Sequence, residues 1–174
     1  MPNPSFIPST LLEDSKDLMV SGIVLAGHRP NSVAEGSDVY VNHWTICLQL
    51  VQGESIRLDM LPNSVANQPA TLVVSRLPYP ISKYVVHQLL FPATQTLSAR
   101  HIFDRISEKG YHRYRYGDKM LECRYWTNVV MKDFRDAGFV GGDGTEAYAA
   151  VTRTWGPDGV QLPSSPEWTQ GTFG

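Results

Sequence analysis

Residues 40–60 constrain the fold of this chain more than any other segment, because apolar side chains recur there at every second position. The alternation holds over residues 44–50 and resumes over residues 56–60, after a short stretch that contains Gly53. A period of two is typical of a strand that buries one face. The segment therefore predicts an antiparallel hairpin whose two apolar rows share a buried face.

The same hairpin predicts a polar face on the other side of the sheet. A loop at residues 52–54 would place Gln49 opposite Arg57 and Cys47 opposite Asp59. The face opposite the apolar rows would then carry four polar or reactive side chains: His43, Cys47, Arg57 and Asp59.

Patterns elsewhere in the chain predict three further strands, at residues 18–26, 70–77 and 83–91. Residues 28–37 are predicted to form a loop after the first of them. Residues 97–109 and 123–137 have the spacing of amphipathic helices, each followed by a glycine, and a third helix is predicted at residues 145–153. Strands come first and helices later, which favours the α+β class. We expect an antiparallel sheet of about five strands with two or three helices packed on it.

A length of 174 residues fits one compact domain with its own core. We expect an irregular N-terminal arm at residues 1–17 that ends in a short helix or turn. A single α+β domain would follow at residues 18–154, and residues 155–174, rich in proline and glycine, would form an extended tail over it.

Charge and composition exclude several functional classes. Lys and Arg total 15 against 17 Asp and Glu, so the net charge of −2 offers no basic surface for nucleic acid or an anionic membrane. No apolar run approaches the roughly 20 residues that span a bilayer. Two cysteines, without a disulfide framework, favour a reducing, cytoplasmic location. Motifs for nucleotide cofactors and spacings for metal ligands are missing, so we expect neither a cofactor nor a metal, and a small molecule as the partner. A homodimer stays possible.

Cys123 and His43 form the one combination of residues that predicts chemistry. A cysteine in the first turn of a helix lies near unpaired backbone N–H groups and the positive end of the helix dipole, and both favour the thiolate. His43 on a neighbouring strand could take the thiol proton, and Asp59, with Asn63 as the fallback, could hold the imidazole in one tautomer. In the competing interpretation, Cys123 is a core residue on the helix's apolar stripe and His43 is structural.

Two short segments resemble the circularly permuted papain-like proteins, in particular the lecithin:retinol acyltransferase and NlpC-related group. The sequence NHWTICL at residues 42–48, followed by a glycine-containing turn and SIRL at residues 55–58, resembles their histidine box. The sequence ECRYW at residues 122–126 resembles their Asn-Cys-x-x-Phe box at a helix start. The histidine strand precedes the cysteine helix, as in the permuted order. The chain is also similar to small uncharacterised proteins of filamentous fungi, which implies no established activity.

The resemblance implies that Cys123 is the nucleophile and His43 the base. Two positions depart from the pattern. Glu122 stands where the family has Asn, and its charge would disfavour the thiolate unless Arg124 pairs with it. Arg57 falls near the second histidine of the family and cannot accept a proton from the imidazole, so Asp59 takes that role in our prediction.

Three functional hypotheses follow. The first is a cysteine-dependent hydrolase or acyltransferase that acts on a small ester, thioester or amide through a thioester on Cys123. The second is a cofactor-free cyclase or isomerase of fungal small-molecule biosynthesis, in which His43, Asp59 and Arg57 perform acid–base catalysis. The third is a noncatalytic binding domain. In either enzyme, the neighbouring candidates for substrate binding are Asn42, Cys47, Arg57 and Tyr125.

Overall fold

The computed structural model describes residues 5–63, 65, 68–117 and 123–174. Five strands form one antiparallel sheet, as predicted for an α+β fold. In chain order they are β1 (Val20–Ser32), β2 (Tyr40–Leu50), β3 (Ser55–Leu61), β4 (Thr71–Leu77) and β5 (Val85–Pro92). Their spatial order is β4-β3-β2-β1-β5, so β2, which carries His43, lies in the middle.

Four α-helices accompany the sheet in the described residues: α1 (Ser9–Asp14), α2 (Ala99–Lys109), α3 (Cys123–Asp136) and α4 (Gly144–Thr152). A 3₁₀ turn at Tyr111–Arg113 leads into β6 (Tyr114–Arg115), which pairs with β7 (Thr172–Phe173) near the C-terminus. Helix α3 packs against β2 and β3. None of the helices in the described part of the chain is long and apolar enough to cross a membrane.

The β2–β3 hairpin has the predicted faces but a different register. Cys47 pairs with Arg57 rather than with Asp59, so the predicted pairing is wrong by two residues. The reason is the turn: Gly53 has a φ of 91°, and the backbone N–H of Leu50 bonds to Glu54, which closes the loop one residue earlier than expected. Because side chains alternate with a period of two, a shift of two leaves every residue on its predicted face.

Strand β1 is longer than the sequence predicts. Residues 28–32 were expected in a loop, but they continue the strand and pair with β2 as far as Ser32. An irregularity in the register between Gly27 and Pro30 accommodates the proline, which cannot donate a ladder hydrogen bond. The extension carries His28 to the side of β2 that bears His43.

The main core lies between one face of the sheet and the helices. Trp44 is fully buried there, and its ring lies over Gly27, where an added Cβ would come within 2.9 Å of the indole. Glycine at this position therefore allows the close packing of β1 against Trp44. On the opposite face a smaller cluster buries Val24, Ala26 and Cys47.

Both terminal segments pack against the domain. Leu11 and Leu12 of α1 are buried in the main core. In the C-terminal segment, the backbone oxygens of Pro166 and Glu167 accept hydrogen bonds from the buried guanidinium of Arg124. The neighbour of Cys123 in sequence thus fixes the C-terminal segment to the start of α3.

Candidate active site

The site forms where the hydrogen-bond ladder between β2 and β3 stops. The last paired residues on this side are Ile46 and Leu58. Beyond them β3 continues to pair with β4 as far as Leu61, while β2 continues to pair with β1. The two central strands therefore diverge, and a gap opens between them inside the sheet.

The alternation of hydrogen-bonded and non-hydrogen-bonded pairs identifies the first hydrogen-bonded pair that the ladder lacks. Leu50 donates its N–H to Glu54 at 2.9 Å, so these two residues form a hydrogen-bonded pair. Hydrogen-bonded pairs alternate along an antiparallel ladder. In the observed register every second pair is hydrogen-bonded, so Trp44 and Met60 would form the next such pair beyond the end of the ladder.

Two side chains take the place of this pair and bond to the backbone groups that it leaves without a partner strand. The N–H of Trp44 donates to Sγ of Cys123 at 3.3 Å, and the hydroxyl of Tyr116 donates to the carbonyl oxygen of Met60 at 2.6 Å. Buried backbone polar groups require partners, so the gap is stable only while both side chains fill it. Cys123 thus lies in the plane of the sheet and not merely beneath it.

This placement brings Cys123 and His43 together, although α3 and the His43 side chain lie on different faces of β2. The sulfur occupies the gap, where it interacts with the imidazole. Nε2 of His43 donates to Oδ1 of Asp59 at 2.5 Å, which leaves Nδ1 as the ring nitrogen available to the thiol. The cysteine therefore shares a cavity with an imidazole–carboxylate pair, in which Asp59 rather than the fallback Asn63 holds the imidazole.

The charge state of His43 follows from these contacts. Burial alone would lower its pKa, but hydrogen bonds with Asp59 and Cys123 outweigh burial and raise the pKa to about 10. The imidazole is therefore protonated at neutral pH. A positive charge therefore lies on the same cavity wall as the sulfur.

A second histidine adjoins the first and is kept neutral. His28 bonds through Nε2 to Oγ1 of Thr45 at 2.9 Å, and its ring centroid lies 6.0 Å from that of His43. Burial, followed by repulsion from His43, lowers the pKa of His28 to about 4. One imidazole is thus charged and its neighbour uncharged, which avoids two like charges in the same small region.

A cavity of about 160 Å³ opens beside the sulfur. His43 and Cys123 lie in its wall together with Asn42 and five further residues. The other described residues that line it are Asn31, Ser32, Val41, Pro62 and Tyr116. A molecule in this cavity would touch both candidate catalytic groups.

The remaining candidates for substrate binding occupy other places. Arg57 and Cys47 lie on the polar face beyond Asp59 and do not line the cavity in the described residues. Cys47 is buried, and burial raises the pKa of its thiol to about 11. Tyr125 packs against Trp168 of the C-terminal segment at a centroid distance of 5.7 Å.

Asn42 lines the cavity, but its amide is used within the protein. Nδ2 donates to the backbone oxygens of His28 and Trp155, both at 2.8 Å, and Oδ1 accepts the N–H of Trp155 at 2.7 Å. The side chain is only 1% exposed. Asn42 therefore joins β1, β2 and the C-terminal segment next to His43. Glu122, the predicted neighbour of the thiol, lies outside the described residues.

Comparison with known families places the chain in one of them. A family model described as a domain of unknown function, DUF7770, matches residues 23–174. The chain belongs to the DUF7770 family. The match runs from β1 to the C-terminal residue and so includes His43, Asp59 and Cys123. No curated protein and no solved structure matches the chain.

Three residues of this DUF7770 domain contribute to the site without having been predicted from the sequence. Tyr116 lies in the alternating YHRYRY segment, Val41 precedes the Asn-His-Trp sequence, and His28 falls in the predicted loop. The alternation places Val41 on the His43 face of β2, and this signal could have identified it. Tyr116 reaches the site because of the gap between β2 and β3, and His28 because of the irregularity in β1. The sequence gives no local signal of either feature.

Metal binding by the DUF7770 domain has no geometric support in the residues described. Among them, no group of three or more His, Cys, Asp or Glu side chains is arranged to hold a metal ion. His43 and Asp59 are instead bonded directly to each other.

Proposed function

We propose that this protein is a cysteine-dependent acyl-transfer enzyme, a hydrolase or an acyltransferase, that acts on a small ester, thioester or amide through a thioester on Cys123. The observation that carries the proposal is the position of Sγ of Cys123 in the strand gap, where it lines one cavity together with an imidazole that Asp59 holds from the other side. A nucleophile, a base and a group that orients the base are the parts that this chemistry requires.

In the proposed reaction the cysteine is a thiolate at the start and His43 is an imidazolium. The helix start and the N–H of Trp44, 3.3 Å from the sulfur, stabilise the negative charge. The thiolate attacks the carbonyl carbon of the substrate, forming a C–S bond and a tetrahedral oxyanion. When the oxyanion collapses, the bond to the leaving group breaks and Nδ1 of His43 gives that group its proton.

The second half of the reaction reverses the roles. His43 is now neutral and takes a proton from water or from a second acceptor, whose oxygen or nitrogen attacks the thioester carbonyl. The C–S bond breaks, the acyl product leaves, and the thiolate–imidazolium pair is restored. Asp59 keeps Nε2–H bonded throughout, so it fixes the ring orientation and stabilises the positive charge without accepting the proton.

Burial by itself would support the noncatalytic hypothesis, since Cys123 is only 4% exposed and packs with the main core. The cavity favours the catalytic one. A core cysteine has no need for an adjacent charged imidazole or for a space open to small molecules, and both occur at this sulfur.

The structure supports the acid–base hypothesis less well, because that hypothesis requires Arg57 to act on the substrate. Arg57 does not line the cavity in the described residues. Full turnover in Cys123→Ser, together with loss of turnover in His43→Ala, would nevertheless favour the cyclase or isomerase over acyl transfer.

Intact-protein mass spectrometry after incubation with acetyl and butyryl thioesters tests the proposal. We expect one acyl adduct per chain, located on Cys123 by peptide mapping, because its sulfur adjoins both the base and the cavity. The adduct should be lost in Cys123→Ser and kept in Cys47→Ser, which is the matched control because Cys47 is equally buried but lies outside the cavity. Acylation of both cysteines at similar rates, or of neither, would contradict the proposal.

A further inference from the structure

The cavity beside Cys123 limits the size of the group that can reach the sulfur. Its volume is about 160 Å³. An engineered cavity of about 150 Å³ in another protein accommodates benzene, so a space of this size holds about six non-hydrogen atoms. The cavity is open on one side, so a longer acyl chain would have to leave through the opening or displace the walls, and close-packed protein walls resist such displacement.

The walls also limit the charge of that group. Apart from Cys123 and Tyr116, His43 is the only ionisable side chain among the described lining residues. No Lys or Arg among them offers a partner for a carboxylate or a phosphate, and Asp59 neutralises the imidazolium of His43. A buried charge without a partner is unfavourable, so an uncharged acyl group fits better than a charged one.

One wall residue is well placed to set the length limit. Val41 precedes His43 by two positions and so shares its face of β2. It is 8% exposed and lines the cavity with the sulfur. Asn31, its ladder partner on β1, is exposed at the same cavity, which places a polar rim beside this apolar wall.

Building on the proposed acyl transfer, we propose that the acyl donor carries a short, uncharged acyl group of about six non-hydrogen atoms or fewer, and that Val41 determines the length limit. The rest of the donor stays outside the cavity, at the rim formed by Asn31 and Ser32. The substrate class is therefore a short-chain ester, thioester or amide, and not a fatty acyl or dicarboxylic acyl donor.

A series of N-acetylcysteamine thioesters tests this inference. The acyl groups are acetyl, butyryl, hexanoyl and decanoyl, with succinyl as a charged group that matches hexanoyl in size. The rate of adduct formation on Cys123 is measured by mass spectrometry. We expect butyryl to react at least about 10-fold faster than decanoyl, since each methylene that a pocket cannot accommodate costs about 10-fold or more. Succinyl should react more slowly than hexanoyl by a similar factor, because the two groups are equal in size and differ in charge.

Variants at Val41 assign the limit to this residue. Val41→Ala enlarges the cavity by two methyl groups and should raise the hexanoyl rate relative to butyryl by about 10-fold. Val39→Ala is the matched control, because Val39 is exposed and does not line the cavity. Val41→Ile, which narrows the cavity, should slow butyryl more than acetyl, and it provides the second test if Val41→Ala does not fold.

The outcomes separate this inference from the proposed function. Equal rates for all chain lengths, with the adduct on Cys123, would overturn the size limit and leave acyl transfer supported. An unchanged chain-length profile in the folded Val41 variants would overturn the role of Val41. Absence of any adduct, from every thioester, would contradict both the inference and the acyl transfer on which it rests.

Discussion

His43→Ala is expected to slow acylation of Cys123 at pH 7 by about 10²–10⁴-fold, the range that a positioned acid–base group contributes. Two losses combine in this variant. The sulfur loses the imidazolium that favours its thiolate, and the leaving group loses its proton donor. The adduct rate with butyryl thioester, measured by mass spectrometry in wild type and variant, gives the ratio directly.

A matched control is His101→Ala, since His101 lies on the exposed part of α2 and has no role at the cavity. Its acylation rate should equal that of the wild type. A His43→Ala variant that folds and still acylates within about 3-fold of wild type would contradict general acid–base participation, because even the low end of that range is about 100-fold.

The second large effect is the titration of His43 itself. Because Asp59 and Cys123 outweigh burial and raise the pKa of His43 to about 10, its ring should stay protonated at pH 8, where a free histidine is neutral. An NMR titration of the His43 Cε1–H resonance should place the midpoint near pH 10. In Asp59→Asn the loss of the carboxylate charge should lower the pKa of His43 by about 1 to 3 pH units.

The control for this titration is Asp38→Asn, which removes an exposed carboxylate elsewhere and should leave the midpoint unchanged. The sign of the linked stability effect follows from the raised pKa of His43. Its protonation stabilises the folded state fully below pH 6.5, and this contribution is lost as the pH rises through about 10. A midpoint near 6.5 in the wild type would show that Asp59 and Cys123 do not hold the imidazolium.

The sequence was sufficient to predict which residues share a face of the central hairpin, but not which residues pair across it. Alternation at residues 44–50 and 56–60 placed His43 and Asp59 on one face, and a register shift of two residues did not change this. The shift arose in a turn of three residues, where the conformation of Gly53 determines which residues close the loop. Side-chain periodicity contains no information on that choice.

The helix that carries Cys123 was also predictable, since its apolar stripe and the glycine that follows it are local signals. The position of the Cys123 sulfur was not predictable from such signals. It depends on a break in the ladder between β2 and β3, which Cys123 and Tyr116 stabilise from segments more than 50 residues away from Met60. Contacts of that kind form only in the tertiary structure, so no periodicity in the sequence reports them.

The segments around His28 and Asn42 illustrate the same limit. Pro30 and the neighbouring polar residues predicted a loop, but pairing with β2 outweighs this local preference and an irregularity in the ladder accommodates the proline. Asn42 was a candidate for substrate binding because it adjoins His43. Its amide instead bonds to the backbone of Trp155, a residue far away in the sequence.

Alkylation of the native protein with iodoacetamide at pH 7 tests the central claim most directly, because it compares the two cysteines in one molecule. Cys123 and Cys47 are 4% and 3% exposed, so burial alone predicts the same slow reaction for both. Our account predicts that Cys123 reacts at least about 10-fold faster than Cys47, and that this advantage disappears in His43→Ala. A Cys123 that stays unmodified until the protein is denatured would contradict the account and leave it as a residue of the core.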